Sequence, residues 1–184
     1  ADPDLVVTQG ICDVCAVDEV LVERAIDEAG VDADVLTTDP HSLDDVFEDV
    51  VRIGERTGRE HPARELVERL RGRVHRVRER VPDPESRPRT AVLDWTDPPM
   101  VAGHWVPEMV EVAGGEYGLE EREGRSRPRE WAEIREYDPE QLVIAPCGFG
   151  IDQTRENLAD LTDRPGFEDL AARVGADLDH SFFY

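Results

Sequence analysis

"DPDLVVTQGIC" (residues 2–12) and "DPEQLVIAPCG" (residues 138–148) share one order: Asp-Pro, a short apolar run, then a small-residue turn carrying a cysteine. The sequences after them also agree. Helical sequence leads to a second extended run, "AGVDADVLTTDPHS" (29–42) after the first and "ARVGADLDHSFF" (172–183) after the second. Strand, crossover helix, strand is the order of a β-α-β unit with parallel strands. Its recurrence in 184 residues predicts two similar α/β lobes. Ligands of such sheets sit at the carboxyl ends of the strands. In this chain those ends are "TQGICDVC" (8–15) and "APCGFG" (145–150).

Between the repeats lies "ARELVERLRGRVHRVRERV" (63–81). Val67, Leu70, Val74, Val77 and Val81 alternate spacings of three and four, with Arg and Glu on the other faces. That is one narrow apolar seam on a solvated helix, a strut lying across other elements. "PDPESRP" (82–88) then breaks it. The expected organisation is an N-terminal lobe over 1–58, a connecting helix and linker over 59–88, and a C-terminal lobe over 89–184. Within the first lobe the patterns predict strands at 5–8 and 34–38 and a helix over 17–29. A second helix opens on a Ser42–Asp45 capping box and closes at Gly58. Within the second they predict a strand at 91–94 and a loop over "WTDPPMVAGHW" (95–105). A short helix comes next at 106–115, then a polar loop at 116–130, a helix at 131–137, a strand at 141–146 and a helix at 154–161. "FEDLAARVGADLDHSFF" (167–183) reads as helix, then strand.

Acidic side chains number 43 against 21 basic ones, all arginine, for a formal charge of −22. Phosphate recognition needs clustered cations, so this balance argues against nucleic acid and an anionic membrane as partners. Abundant Asp and Glu without Lys resembles proteins of salt-loving archaea, where molar salt shortens screening to about 3 Å. No apolar run approaches the roughly 20 residues of a transmembrane helix, so no direct membrane insertion is expected. Three cysteines make no disulfide framework.

Cys12-x-x-Cys15 has three readings. Strand, CxxC, helix is the order of a thiol-redox site, but Trp-Cys-Gly-Pro-Cys is absent. The pair with Cys147 and a histidine could hold zinc, but no second CxxC or paired histidine accompanies it. The third reading is small cysteines lining strand ends. His41 lies in Asp-x-His, with Asp44 where the cobalamin-enzyme motif has glycine, and reads as a turn and pre-cap residue. His104 beside Trp105 is the better pocket candidate. The loop around them also holds Trp95 and Met100, side chains suited to a large, flat, partly apolar ligand. The alternative is a loop folded over its own sheet. No Walker loop, GxSxG, HExxH or GxGxxG occurs, and no triad assembles.

"PDLVVTQGICDVCAV" (3–17), "DPHSLDDVFEDVVRIGERTG" (39–58), "LDWTDPPMVAGHWVPEMVEVAGG" (93–115) and "APCGFGIDQT" (145–154) together resemble the cobalamin-binding subgroup of ABC-transporter substrate-binding proteins. These are relatives of the periplasmic vitamin B12 and ferric-siderophore binders. The resemblance implies two α/β lobes joined by one long rigid helix, with a corrinoid held in the inter-lobe cleft. The protein would deliver cobalamin to an ABC importer permease, extracytoplasmically, without chemistry. Gln9, Gly10, Cys12 and Cys15 would form the first-lobe rim. Trp95, Met100, His104 and Trp105 would begin the second-lobe wall, which Cys147, Gly148 and Phe149 continue. Trp131 falls where the family carries a pocket aromatic, and Phe183, between Phe182 and Tyr184, at a late cleft loop. Acidic residues on each lobe dock on the transporter in this family; Asp18 or Glu19 and Glu133 or Glu136 are the candidates. The family has further strands before "PDLV" and a helix after "FFY", so the first lobe is expected to be incomplete. A ferric-siderophore or haem ligand on the same fold is the alternative, and a small zinc or thiol protein is the reading from another class.

Overall fold

The computed structural model describes residues 3–11, 19–81 and 87–175 of the chain. It divides into two compact units, 1–75 and 76–184, at a point inside the long helix. The fold is mixed α/β, with a parallel strand pair in each unit.

In the first unit β1 (Leu5–Gln9) pairs with β2 (Asp34–Thr38), from Leu5↔Asp34 to Gln9↔Thr38. α1 (Glu19–Ala29) makes the crossover and Gly30, at φ 62°, turns the chain out of it. α2 (Leu43–Arg56) starts on the expected capping box. The Ser42 hydroxyl accepts from the Asp45 amide at 3.1 Å, and the Asp45 carboxylate accepts from the Ser42 amide at 2.8 Å. The Ser42 side chain first, then the His41 and Ser42 amides donating to the carboxylate, hold the Asp45 carboxyl below its ordinary pKa. His41 is a pre-cap residue as expected: its amide donates to Asp45 and its imidazole faces Asp39 at 3.3 Å.

Gly58, at φ 68°, closes α2. α3 (Glu60–Arg78) then folds back along it. Gly54 of α2 is buried, and any side chain there would run into Ala63 of α3, so glycine permits this close approach. Ala63 and Val67 are buried and Leu70 and Val74 half-buried, so the seam read from the sequence holds as far as Val74, whereas Val77, expected in it, is exposed. The strut is therefore packed on α2 over its first turns. Arg64 pairs with Glu55 and Glu60, and Arg71 pairs with Asp44.

The second unit holds a five-stranded sheet in the order β5-β4-β3-β6-β7. β3 (Thr90–Thr96), β6 (Gln141–Ile144) and β7 (Arg173–Gly175) run parallel. β4 (Pro99–Val101) and β5 (Arg127–Pro128) add antiparallel partners on the other side of β3. The centre strand is buried on both faces, as a strand covered by helices must be. Leu93, Val101, Leu142 and Ile144 are fully buried in the sheet, with Ile134 and Leu161 from the helices. α4 (Val106–Val112), α5 (Trp131–Tyr137), α6 (Ile151–Glu156) and α7 (Ala159–Thr162) complete the unit.

The structure corrects three expectations. Residues 95–105 are not a loop throughout, because β3 runs on to Thr96, turns at Asp97-Pro98 and returns as β4. Two consecutive prolines hide the alternation that marks a strand. The helix at 154–161 is two short helices, since Asn157 ends the first and its side chain caps the Gln153 carbonyl at 2.8 Å. Residues 167–172 form turns rather than a helix, because Pro165 and Gly166 (φ 75°) redirect the chain into β7. Among the described residues no helix is long and apolar enough to cross a membrane.

Candidate functional site

The carboxyl ends of β3 and β6 meet in the second unit. After Ile144 the chain turns, and the turn is fastened to β3 by main-chain bonds. The Ala145 amide donates to the Leu93 carbonyl at 2.9 Å and the Cys147 amide to the Asp94 carbonyl at 3.0 Å. Gly148, at φ 77°, takes the left-handed position that the turn needs. Phe149 is thereby laid against Trp95, ring centroids 5.2 Å apart and planes tilted by 59°. Trp95 stands opposite Met100 across the hairpin, and Met100 opposite Pro128. Trp95, Met100, Cys147 and Phe149 are all half-buried. The structure thus assembles five expected rim residues, Trp95, Met100, Cys147, Gly148 and Phe149, at one strand end. Together they offer an apolar, aromatic surface.

Asp94 lies at a break in register between Leu93↔Val101 and Trp95↔Met100, a β-bulge. Bulges re-aim side chains beside functional sites. Asp94 is only 9% exposed, and burial pushes its carboxyl pKa up to about 6 against a hydrogen bond from Ser126. Oδ1 has no hydrogen-bond partner among the described residues. Ser126 also fastens its loop to the strand end. Its hydroxyl accepts from the Gly103 amide at 2.9 Å, and its amide donates to His104 Nε2 at 3.4 Å. The His104 amide donates to the Gly124 carbonyl at 2.5 Å. Gly103 is required in this place, because main chain from Gly124 to Ser126 occupies the space a side chain would need. Tyr117 packs below, donating to the Ala102 carbonyl at 2.6 Å; burial first, then the charge of Asp94, raises its phenol pKa.

This network places His104 and Trp105 inside the unit. They are 7% and 8% exposed, and Trp105 is the N-cap residue of α4. Trp131 joins a separate aromatic pair: its indole N–H donates to the Pro165 carbonyl at 3.0 Å and its ring stacks on Phe167 at 6.1 Å and 14°. That segment is tied to the β3–β4 turn by Arg164–Asp97 (2.6 Å) and by Thr96–Asp160 (2.9 Å). The sequence reading does not place Phe167 at a site. The Pro165-Gly166 pair before it is the signal that breaks its helical pattern.

In the first unit Gln9 is exposed at the end of β1, and the Gly10 amide donates to the Thr38 carbonyl at 2.8 Å, beside Asp39. Cys12, Cys15, Asp18, Phe183 and the Glu19 side chain lie outside the described residues. Glu133 is committed to Arg129 at 3.1 Å and to the Glu130 amide at 3.0 Å, whereas Glu136 is exposed. Among the described residues no three His, Cys, Asp or Glu side chains converge on a metal position.

Solved structures similar to this chain include substrate-binding, heme-binding and Fe3+-hydroxamate transport-system proteins. An ABC transporter substrate-binding protein from Listeria monocytogenes EGD-e matches with a TM-score of 0.75 and 18% identity, over 99% of this chain and 69% of that one. A periplasmic heme binding protein from Pseudomonas aeruginosa gives 0.73 and 17%, over 98% and 64%. An ABC-type Fe3+-hydroxamate transport system from Saccharomonospora viridis DSM 43017 gives 0.67 and 23%, over 94% and 61%. At these identities the likeness is one of fold, and the chain spans 61% to 69% of their lengths. A search of curated proteins returns no match. The family model described as periplasmic binding protein matches residues 1–173, nearly the whole sequence. With the two α/β units and the long helix, this match establishes that the chain belongs to the periplasmic binding protein family.

Proposed function

We propose that the protein is an extracytoplasmic, non-enzymatic binding component that holds cobalamin or a related corrinoid and delivers it to an ABC importer permease. The observation carrying this reading is the Trp95–Phe149 pair with Met100 and Cys147 at the strand ends. A corrin ring is broad, partly apolar and rimmed with amides, and such a surface takes its face while main-chain groups meet its edge. Glu136 is the second-unit acid available to the permease, since Glu133 is held in a helix cap. Haem or a ferric siderophore is the second reading. It is favoured by the heme-binding and Fe3+-hydroxamate transport structures among the fold matches. The acidic, lysine-free composition supports a halophilic setting.

The test is retention of colour. Purified protein is mixed separately with cyanocobalamin, hemin and a ferric hydroxamate, free ligand is removed, and visible spectra are read. One equivalent of cobalamin retained by the wild type and lost by Trp95→Ala supports the corrinoid reading. Retention of hemin or hydroxamate instead replaces it. Stoichiometric zinc, or a readily reducible Cys12–Cys15 bond, would favour the metal or thiol alternative.

A further inference from the structure

Three parts of the second-unit rim are fastened to one residue, Asp94. Trp95 follows it in the chain. The Cys147 amide donates to its carbonyl at 3.0 Å, which holds the turn that carries Phe149. The bulge at Asp94 sets the register in which Trp95 stands opposite Met100. Its side chain meets Ser126, whose hydroxyl accepts from the Gly103 amide at 2.9 Å. Ser126 lies two residues before Pro128, the partner of Met100 across the next pair of strands. At the centre of these ties is a buried carboxyl whose Oδ1 makes no hydrogen bond among the described residues. A neutral acid is tolerated in such a place. A carboxylate there lacks water, and one of its oxygens lacks a donor.

The titratable and charged groups around Asp94 come from three segments. Tyr117, after α4, stays neutral because burial holds its phenol above the ordinary range. Glu120, which bears on Tyr117, is held by Arg127 at 2.6 Å and Arg129 at 3.5 Å. His104, after β4, shares the Ser126 loop by accepting from the Ser126 amide at 3.4 Å. Asp94 itself is poised by burial to change charge near pH 6. A broad apolar ligand lying on Trp95 and Phe149 excludes water from this strand end, so the bound state disfavours the carboxylate more than the free state does. We propose that Asp94 is a positioning residue that couples the rim to protons: its neutral form holds Trp95, Met100 and Cys147 in place, its ionised form loosens them, and ligand binding takes up a proton at this carboxyl. This rests on the rim being the ligand surface, whichever broad apolar ligand it takes. A buried group is screened little by salt, so the coupling acts in dilute and molar salt alike.

The first measurement needs no ligand. Hydrogen exchange of the full chain is followed by mass spectrometry at about pH 5 and about pH 7.5, with rates corrected for their intrinsic pH dependence. Peptides covering Gly103, Ser126 and Cys147 should lose protection about tenfold or more at the higher pH, while those covering α5 keep it. Asp94→Asn should keep the acid-like protection at both pH values. Loss spread evenly over the second unit would show general destabilisation and overturn the proposal. So would a local loss that persists in Asp94→Asn, as titration of His104 would produce.

The second measurement is calorimetric titration with cyanocobalamin, and with hemin, in two buffers of different ionisation enthalpy. Wild type at about pH 7.5 should take up protons on binding and bind about tenfold more weakly than at about pH 5; one linked proton permits up to about tenfold per pH unit. Asp94→Asn should bind at both pH values as wild type does in acid. Titration of the probe itself is common to both proteins and cancels. Binding without proton uptake, or with the same pH profile in both proteins, overturns the proposal. Failure of both probes to bind counts against the rim as a ligand surface, and the exchange result then decides separately whether Asp94 holds the rim.

Discussion

Replacing Asp94 by asparagine should stabilise the second unit at neutral pH and do nothing in acid. Burial raises the folded-state pKa of this carboxyl from 3.8 to about 6. The shift is about two pK units, or about 3 kcal/mol at 1.36 kcal/mol per unit. Its sign depends on which form the fold prefers. The folded protein favours the neutral acid, so the contribution to stability is fully present below the unfolded value near 3.8. It is lost as pH rises through about 6. At neutral pH and above the native unit carries a desolvated carboxylate with one oxygen lacking a partner. Asparagine keeps the shape and an acceptor for Ser126 without the charge. Asp94→Asn should therefore gain about 1–3 kcal/mol at about pH 7.5, the lower figure allowing for its own amide donors, and match wild type near pH 4.

All three tryptophans, Trp95, Trp105 and Trp131, belong to the second unit, so their fluorescence reports its unfolding in denaturant. The measurement is the difference between variant and wild type at several pH values from about 4 to about 7.5 in one salt, spanning the window over which the linkage acts. The other carboxylates titrate in both proteins and cancel. A variant less stable than wild type by the same amount at every pH would refute the reasoning, because it would mean an ionised Asp94 satisfied by a strong partner.

Trp95→Ala should weaken cyanocobalamin binding about tenfold or more, a typical aromatic hot-spot loss of about 2 kcal/mol, with little effect on melting. Trp105→Ala should do the reverse, costing about 3–5 kcal/mol of stability as a buried aromatic truncation; calorimetric titration beside a denaturant curve separates the two. Gly103→Ala should lower the stability of the second unit by about 2 kcal/mol or more, since main chain at Gly124–Ser126 fills the methyl position; a melting temperature within about 1 °C of wild type would contradict that close approach. Raising NaCl from dilute to molar should raise the melting temperature as self-repulsion of the −22 charge is screened, and an unchanged or falling value would remove the halophilic reading.

Much of the frame was legible because it is set by near neighbours. The Asp-Pro-strand echo located the pair β1–β2 and the strand β6, while β7 falls at the glycine turn the echo placed before its last strand. Ser42 and Asp45 announced α2, and the seam from Val67 to Val74 marked the buried side of α3. The hairpin after Trp95 was not legible, because Asp97-Pro98-Pro99 interrupts the pattern a strand normally shows. Nor was the burial of His104 and Trp105, which depends on a loop 23 residues away closing over Gly103.

The sequence by itself determined the alternation of strand and helix, the caps and the long amphipathic helix. Each depends on side chains three or four residues apart, whose chemistry acts before the chain has folded. Only the tertiary structure decided that Phe149 would meet Trp95 and that Asp94 would be buried on a bulge with Ser126 as its partner. Those outcomes depend on which distant segments the packed sheet brings together, and local periodicity carries no record of that.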